Sequence, residues 1–211
     1  RRQRQMCIRD RHLYSEHDIA ASVKDNYDLL RLLRGFSRPG IDNIFSDYSL
    51  CGCEWDALSA VEYTLREKEQ TGVAELFALG PVDLEFTAMK RMIWLCAAFG
   101  ISDYVSAVAP FDARGNFAKP DYYTDFTPTD PRFPMLGLLS AEADRAAAFA
   151  VKKPVADVAV VYPVRAGGTL AGGQSVYKLS EDYLSLLRGL VAGGFPVSYT
   201  HLRAHETLRH L

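Results

Sequence analysis

Apolar residues recur along the chain at two alternating spacings. Positions three or four apart, such as Ile19, Val23 and Leu30, predict amphipathic helices. Short continuous apolar runs between them, such as residues 73–79 (VAELFAL), predict buried strands. Helices are predicted over residues 18–34, 54–70, 135–151 and 180–192. A further helix is predicted to begin at Pro81 and Asp83 and to stop at Gly100. Strands are predicted over residues 41–45, 73–79, 101–109 and 155–162.

Strand and helix follow one another at intervals of roughly 30 residues, which is typical of a parallel sheet covered by helices. Two architectures fit this pattern, an open doubly wound sheet and part of a (β/α)₈ barrel. A long loop rich in aromatic and proline residues, 110–133, follows the third predicted strand, whereas the connections from helix to strand are short. Long loops after the carboxyl ends of strands favour the barrel.

The two ends of the chain have a different character from its interior. Residues 1–11 (RRQRQMCIRDR) and 197–211 (VSYTHLRAHETLRHL) resemble translated sequencing-adapter DNA. We therefore expect the protein proper to span about residues 11–196 and to be an excerpt of a larger one. The first segment carries a net charge of +4 and the second +1, so removing them from the total of −2 leaves an interior of −7.

This acidic interior argues against nucleic acid as a partner, because it offers phosphates no electrostatic footprint. No run reaches the ~18 apolar residues of a membrane span, so no membrane partner is expected. The interior cysteines Cys51, Cys53 and Cys96 do not make a metal-ligand set, and we predict ordinary thiols, no metal and no cofactor.

Glu75 is the most informative single residue. It lies within an apolar strand between Ala74 and Leu76, where a carboxylate is costly unless it is paired or takes part in chemistry. The alternative interpretation is a glutamate that forms a salt bridge near a strand end. Asp42 lies in the first predicted strand, and Asp112 and Arg114 lie in the aromatic loop after the third. Carboxylates among aromatic rings suit a carbohydrate ligand, although solvated loops share this composition.

A glycine-rich segment, residues 166–173, follows the last predicted strand and precedes a helix, as a phosphate-binding loop would. Its central sequence GGTLAGG matches neither GxGxxG nor GxxxxGK[ST], and the gap to the helix is long. We therefore predict a flexible surface loop here, with a doubly wound nucleotide-binding protein as the alternative.

Several motifs agree in order and spacing with one family: SEHD (15–18), PGID (39–42), AELFALG (74–80), MKRMIW (89–94), PFDARG (110–115) and VADVAVVYP (155–163). Over about residues 12–196 the chain resembles the C-terminal half of the catalytic barrel of large bacterial glycoside hydrolases. The nearest groups are the α-L-rhamnosidase-type enzymes and related β-galactosidase-like proteins.

The resemblance implies that the strands near Ile41, Val73 and Ile101 are the sixth, seventh and eighth of the barrel. Residues 12–18 would form the loop after the fifth strand, and residues 12–153 the closing part of the barrel. Residues 154–196 would begin a second α/β domain similar to the glutamine amidotransferase fold, without the amidase function.

The resemblance also implies that Glu75 is a catalytic nucleophile or base and that Asp42, Asp112 and Arg114 line a sugar pocket. The catalytic acid would lie on the fourth barrel strand, so the chain alone is expected to be inactive. Its uncovered sheet edges are expected to make it poorly soluble. Ala107 stands where relatives often have His, and Gly80-Pro81 where they often have Gly-Trp. These departures keep a non-catalytic carbohydrate-binding relative as a further alternative.

Overall fold

The computed structural model describes residues 10–12, 19–25, 28–45, 55–79, 84–106, 112–116, 128, 130–150, 156–170, 173–195 and 197–200. Over these residues the chain has a mixed α/β fold with parallel strands in two small sheets. None of the helices described there is long and apolar enough to cross a membrane.

The first sheet has four parallel strands, β1 (Asp10–His12), β2 (Arg38–Phe45), β3 (Gly72–Leu79) and β4 (Ile101–Ser106). Their order in the sheet is β1-β2-β3-β4, so each strand lies beside the strand that precedes it in sequence. A doubly wound sheet reverses its strand order at a switch point. The described sheet contains no such reversal, and no closed barrel is seen.

Helices connect successive strands of this sheet. Helices α1 (Ile19–Asp25) and α2 (Leu29–Gly35) follow β1, α3 (Trp55–Lys68) follows β2, and α4 (Phe86–Ala98) follows β3. After β4 come a 3₁₀ turn (Phe133–Met135) and α5 (Leu136–Ala150). The core lies between these helices and one face of the sheet; its fully buried members include Ile41, Leu58, Leu76, Met89 and Ile93. Each such side chain stabilises the fold by about 1.5–3 kcal/mol through burial.

The second sheet pairs β5 (Val158–Val161) with β6 (Val197–Thr200), and the helices α6 (Val164–Leu170) and α7 (Gln174–Ala192) lie between them in sequence. Helix α7 buries Val176, Ser180, Tyr183 and Leu187, whose spacing of three and four places them on one stripe. This stripe meets α1, where the Ser180 hydroxyl accepts a 3.1 Å hydrogen bond from the Ile19 amide.

Two predictions about helices were wrong. The helix predicted over residues 18–34 is divided into α1 and α2, because the Asp28 carboxylate caps α2 by accepting from the Arg31 amide at 3.0 Å. The predicted flexible loop at residues 166–173 is largely helical, since α6 extends to Leu170. A Cβ at Gly167 would come within 3.0 Å of Ile19 and Val23, so this glycine permits close packing of α6 on α1.

The remaining predicted elements are confirmed with shifted ends. The first predicted strand begins earlier, at Arg38, and α7 begins at Gln174 rather than Ser180. Cys96 is a buried free thiol, whereas Cys51 and Cys53 lie outside the described residues. Each terminal segment that resembles adapter sequence contributes to a strand, β1 at one end and β6 at the other. The division into a barrel part and a second domain stays a prediction.

Candidate functional site

The two faces of the four-stranded sheet differ in exposure. Ile41, Ala74 and Leu76 are buried beneath the helices. Five side chains at alternate positions are half-buried or exposed, and we call the surface that they form the open face: Arg38, Val73, Glu75, Asp103 and Val105. Side chains alternate between the two faces along a strand. Three of these five side chains are charged, so the open face is less apolar than the face that the helices cover.

Glu75 lies near the middle of the open face and is half-buried. In the sheet register its backbone is paired with Asp42 on one side and Val105 on the other. Neighbouring strands are about 4.8 Å apart, and register partners share a face. The structure therefore places position 42 beside Glu75, so that two of the predicted site residues are neighbours on adjacent strands. The orientation of the Asp42 side chain lies outside the described atoms.

An ion pair crosses the open face toward the start of the strands. The Arg38 guanidinium on β2 pairs with the Asp103 carboxylate on β4, across the intervening strand β3. The side chains of both residues are about half exposed, at 42% and 51%, so the pair contributes little to stability. It nevertheless occupies the region next to Val73, two residues before Glu75, and so bounds the candidate site on that side.

The end of β3 has an irregular backbone. Phe77, two residues after Glu75, has a φ of +76°, which is rare for a bulky residue and costs about 1–3 kcal/mol. Pairing with β2 moves from Asn43–Leu76 to Phe45–Leu79, so one residue of β2 faces two of β3. This is a β-bulge. The Phe77 ring is 1% exposed, and its burial offsets a strain of this size.

Asp112 belongs to a compact turn, residues 112–116. Its Oδ1 accepts from the amides of Arg114 (2.8 Å) and Asn116 (2.9 Å), and its Oδ2 accepts from the Asn116 side-chain amide at 3.1 Å. These donors, the Asn116 backbone amide foremost, hold the pKa of the Asp112 carboxyl below its usual range. The carboxylate thus stabilises the turn that presents the exposed Arg114. None of these hydrogen bonds within the turn involves Glu75.

A second carboxylate site lies between α4 and α5. Glu142 is buried and accepts a 2.6 Å hydrogen bond from the Trp94 indole, with Arg145 and Lys90 as ion partners. The Trp94 donor, followed by Arg145, lowers the pKa of Glu142 to about 2. These partners all lie on the same two helices, so Glu142 serves their packing.

Sequence reasoning missed Phe77 and the Arg38–Asp103 pair. A signal for Phe77 existed, because Leu76 and Phe77 are consecutive large apolar residues after Glu75, and regular alternation would place Phe77 on the same face as that carboxylate. Arg38 begins the Arg38-Pro39-Gly40 segment that breaks a helix, and nothing in this local sequence indicates a partner 65 residues away.

Within the described ranges, no three His, Cys, Asp or Glu side chains come together as a metal site would require. Residues 13–18, 80–83, 107–111 and 171–172, which include Ala107 and Gly80-Pro81, lie outside the described part of the chain. Comparison of the chain with protein-family models, with curated proteins and with solved structures gave no match.

Proposed function

We propose that the chain is the closing part of the (β/α)₈ barrel of a glycoside hydrolase and that Glu75 is one of its two catalytic carboxylates. The observation that carries the proposal is the position of Glu75. It is a half-buried carboxylate on the open face of a parallel sheet whose other face is packed with apolar side chains. In barrel enzymes the catalytic groups lie toward the carboxyl ends of such strands.

The strand order supports the barrel. An eight-stranded barrel is a parallel sheet in sequential order that closes on itself, with its helices on the outside. The order β1-β2-β3-β4 and the burial of a single face match an arc of such a barrel. The open face would then be the inner surface, and Glu75 would project into the barrel rather than toward the helices.

Glycoside hydrolysis commonly uses an acid that protonates the leaving oxygen and a carboxylate that attacks the sugar or activates water. We assign the second role to Glu75. The acid would be supplied by an earlier barrel strand, and the chain by itself would be inactive. Carboxyl groups about 5–5.5 Å apart lead to retention of configuration, and a gap of roughly 6.5–9.5 Å admits water and leads to inversion.

The other proposed sugar contacts follow from the geometry of the two neighbouring regions. Asp42 is placed beside Glu75 by the sheet register, where an oxygen acceptor would face sugar hydroxyls. Arg114 is exposed on the turn that Asp112 stabilises. We therefore assign ligand contact to Arg114 and a supporting role to Asp112, whose oxygens are already engaged by amides.

The test requires a protein in which this chain is preceded by the remaining barrel strands. We expect that protein to hydrolyse at least one member of a panel of aryl α- and β-glycosides, and the present chain alone to hydrolyse none. If calorimetry showed binding of the same sugars without turnover, the protein would be a carbohydrate-binding protein and not a hydrolase. A protein that neither binds nor hydrolyses any of these glycosides would contradict the proposal altogether.

A further inference from the structure

The backbone of Phe77 needs an explanation that its neighbourhood in sequence does not provide. Among the described residues other than glycine, only Glu69 and Phe77 have positive φ angles, +53° and +76°. Glu69 directly follows α3, where the Gln70 amide donates to the Leu65 carbonyl at 3.1 Å, and left-handed residues are usual just after a helix ends. Phe77 lies inside a strand, where no helix end accounts for it.

Phe77 occupies the point at which β3 changes its partners. Within the described residues the last pair between β3 and β4 is Leu76–Ser106, and pairing with β2 skips from Leu76 to Leu79. Phe77 therefore opens the bulge, directly after the last pair that the structure describes between β3 and β4. Bulges of this kind redirect side chains, and they are frequent at barrel rims and beside active sites.

The burial of the Phe77 ring does not follow the alternation of the strand. Regular alternation would put position 77 on the open face with Val73 and Glu75. The ring is almost completely buried and belongs to the same core cluster as Ala74 and Leu76. Two consecutive residues, Leu76 and Phe77, are thus both buried in this cluster, next to a half-buried Glu75.

We infer that Phe77 is a positioning residue for Glu75. Its left-handed backbone turns a large ring away from the open face, so that the ring itself does not occupy the surface beyond Glu75. Burial of the ring also anchors the carboxyl end of β3, which fixes the backbone that carries the Glu75 side chain. This role concerns the geometry of the site, and its significance for catalysis rests on the proposed function.

The first test asks whether the backbone strain is real. At a left-handed position Gly is favoured over Ala, whereas in a regular strand Ala is favoured over Gly. We expect Phe77→Gly to unfold at a higher urea concentration than Phe77→Ala, although both are less stable than the natural chain. The reverse order would overturn the inference.

The second test asks whether Phe77 controls Glu75. The ¹³C chemical shift of the Glu75 carboxyl group, assigned from the loss of its signal in Glu75→Gln, is measured in the full chain at one neutral pH. We expect a changed chemical shift in Phe77→Gly and a smaller change in Phe77→Leu, which keeps an apolar anchor. Phe99→Leu is the matched control, because Phe99 is buried near the opposite end of the strands, and the Glu75 signal in this variant should equal that of the natural chain.

Equal ¹³C chemical shifts of Glu75 in all variants would overturn the positioning role, even if Glu75 proves essential for hydrolysis. Conversely, a changed chemical shift in a protein without hydrolytic activity would leave the positioning role intact and remove the proposed function. Should Phe77→Gly fail to fold, the comparison of Phe77→Leu with Phe99→Leu decides the matter, since both replace one buried ring by the same side chain.

Discussion

At the scale of single residues, two carboxylates that are shielded from solvent to different degrees have different roles. Glu142 lies on a helix, and three donors from its own helix and its neighbour surround it. Glu75 lies on a strand face that the helices leave uncovered. The sequence indicated Glu75 because a carboxylate in an apolar run is unusual. It did not indicate Glu142, because an isolated glutamate in a helix is ordinary and its partner Trp94 is 48 residues away.

Glu142 should make stability depend on pH. Its folded pKa of about 2 lies below the ordinary 4.5, so its charged form is favoured by folding. The resulting stabilisation is complete above the ordinary pKa and is lost as the pH falls through the folded pKa. We expect Glu142→Gln to be less stable than the natural chain at neutral pH, with a difference in unfolding free energy that shrinks below about 4.5.

Urea unfolding of both proteins at several pH values measures this difference. In a Trp94→Phe background, which removes the principal donor, the dependence on pH should be weaker. A difference between Glu142→Gln and the natural chain that stays constant from neutral pH to pH values near the folded pKa would contradict the assignment.

At the scale of elements, periodicity predicted the type of each helix and strand better than its ends. Helix α7 begins at Gln174, where Gly173 precedes it, although the strongly periodic apolar positions begin later. Helix α6 was missed because its two glycines resemble a loop, whereas Gly167 fits a close contact between helices. A glycine in the sequence can therefore indicate either a loop or a close contact between helices, and the packing around it decides which of the two it is.

Two glycine substitutions test this distinction. Gly189 is in the interior of α7, and no atom lies within 4 Å of the place that a Cβ would take, so Gly189→Ala should raise the unfolding free energy by about 0.5–1 kcal/mol. A Cβ on Gly40 would lie 2.4 Å from the Val73 carbonyl oxygen, so Gly40→Ala should lower it by about 1–3 kcal/mol. Effects of the same sign in thermal or urea unfolding would contradict this distinction between the two glycines.

At the scale of the whole molecule, the strand order of the described sheet is the result that the sequence pattern does not provide. Alternating strands and helices allowed either a doubly wound sheet or a barrel, because both share the same local pattern. The parallel order β1-β2-β3-β4 depends on long-range pairing, which no local pattern encodes. The same pairing brings position 42 beside Glu75 and leaves β4 at the edge of the described sheet.

The open face and edge should promote self-association. Val105 on β4 is 54% exposed, and unpaired strand edges with apolar side chains recruit other chains. We expect Val105→Lys to reduce the concentration dependence of light scattering relative to the natural chain. Ser140→Lys adds the same charge on the exposed surface of α5 and should have a smaller effect. If both substitutions reduced light scattering equally, the reduction would be due to the added net charge and not to the exposed strand edge.

Direct participation of Glu75 in glycoside hydrolysis is best tested by the kcat of the barrel-completed protein. The Glu75→Gln variant is compared with Glu85→Gln, which changes an exposed glutamate that precedes α4. We predict that Glu75→Gln lowers kcat by roughly 10²–10⁴-fold, while Glu85→Gln retains the natural rate and both variants keep the natural circular dichroism spectrum. Equal rates for the two variants would contradict a catalytic role for Glu75.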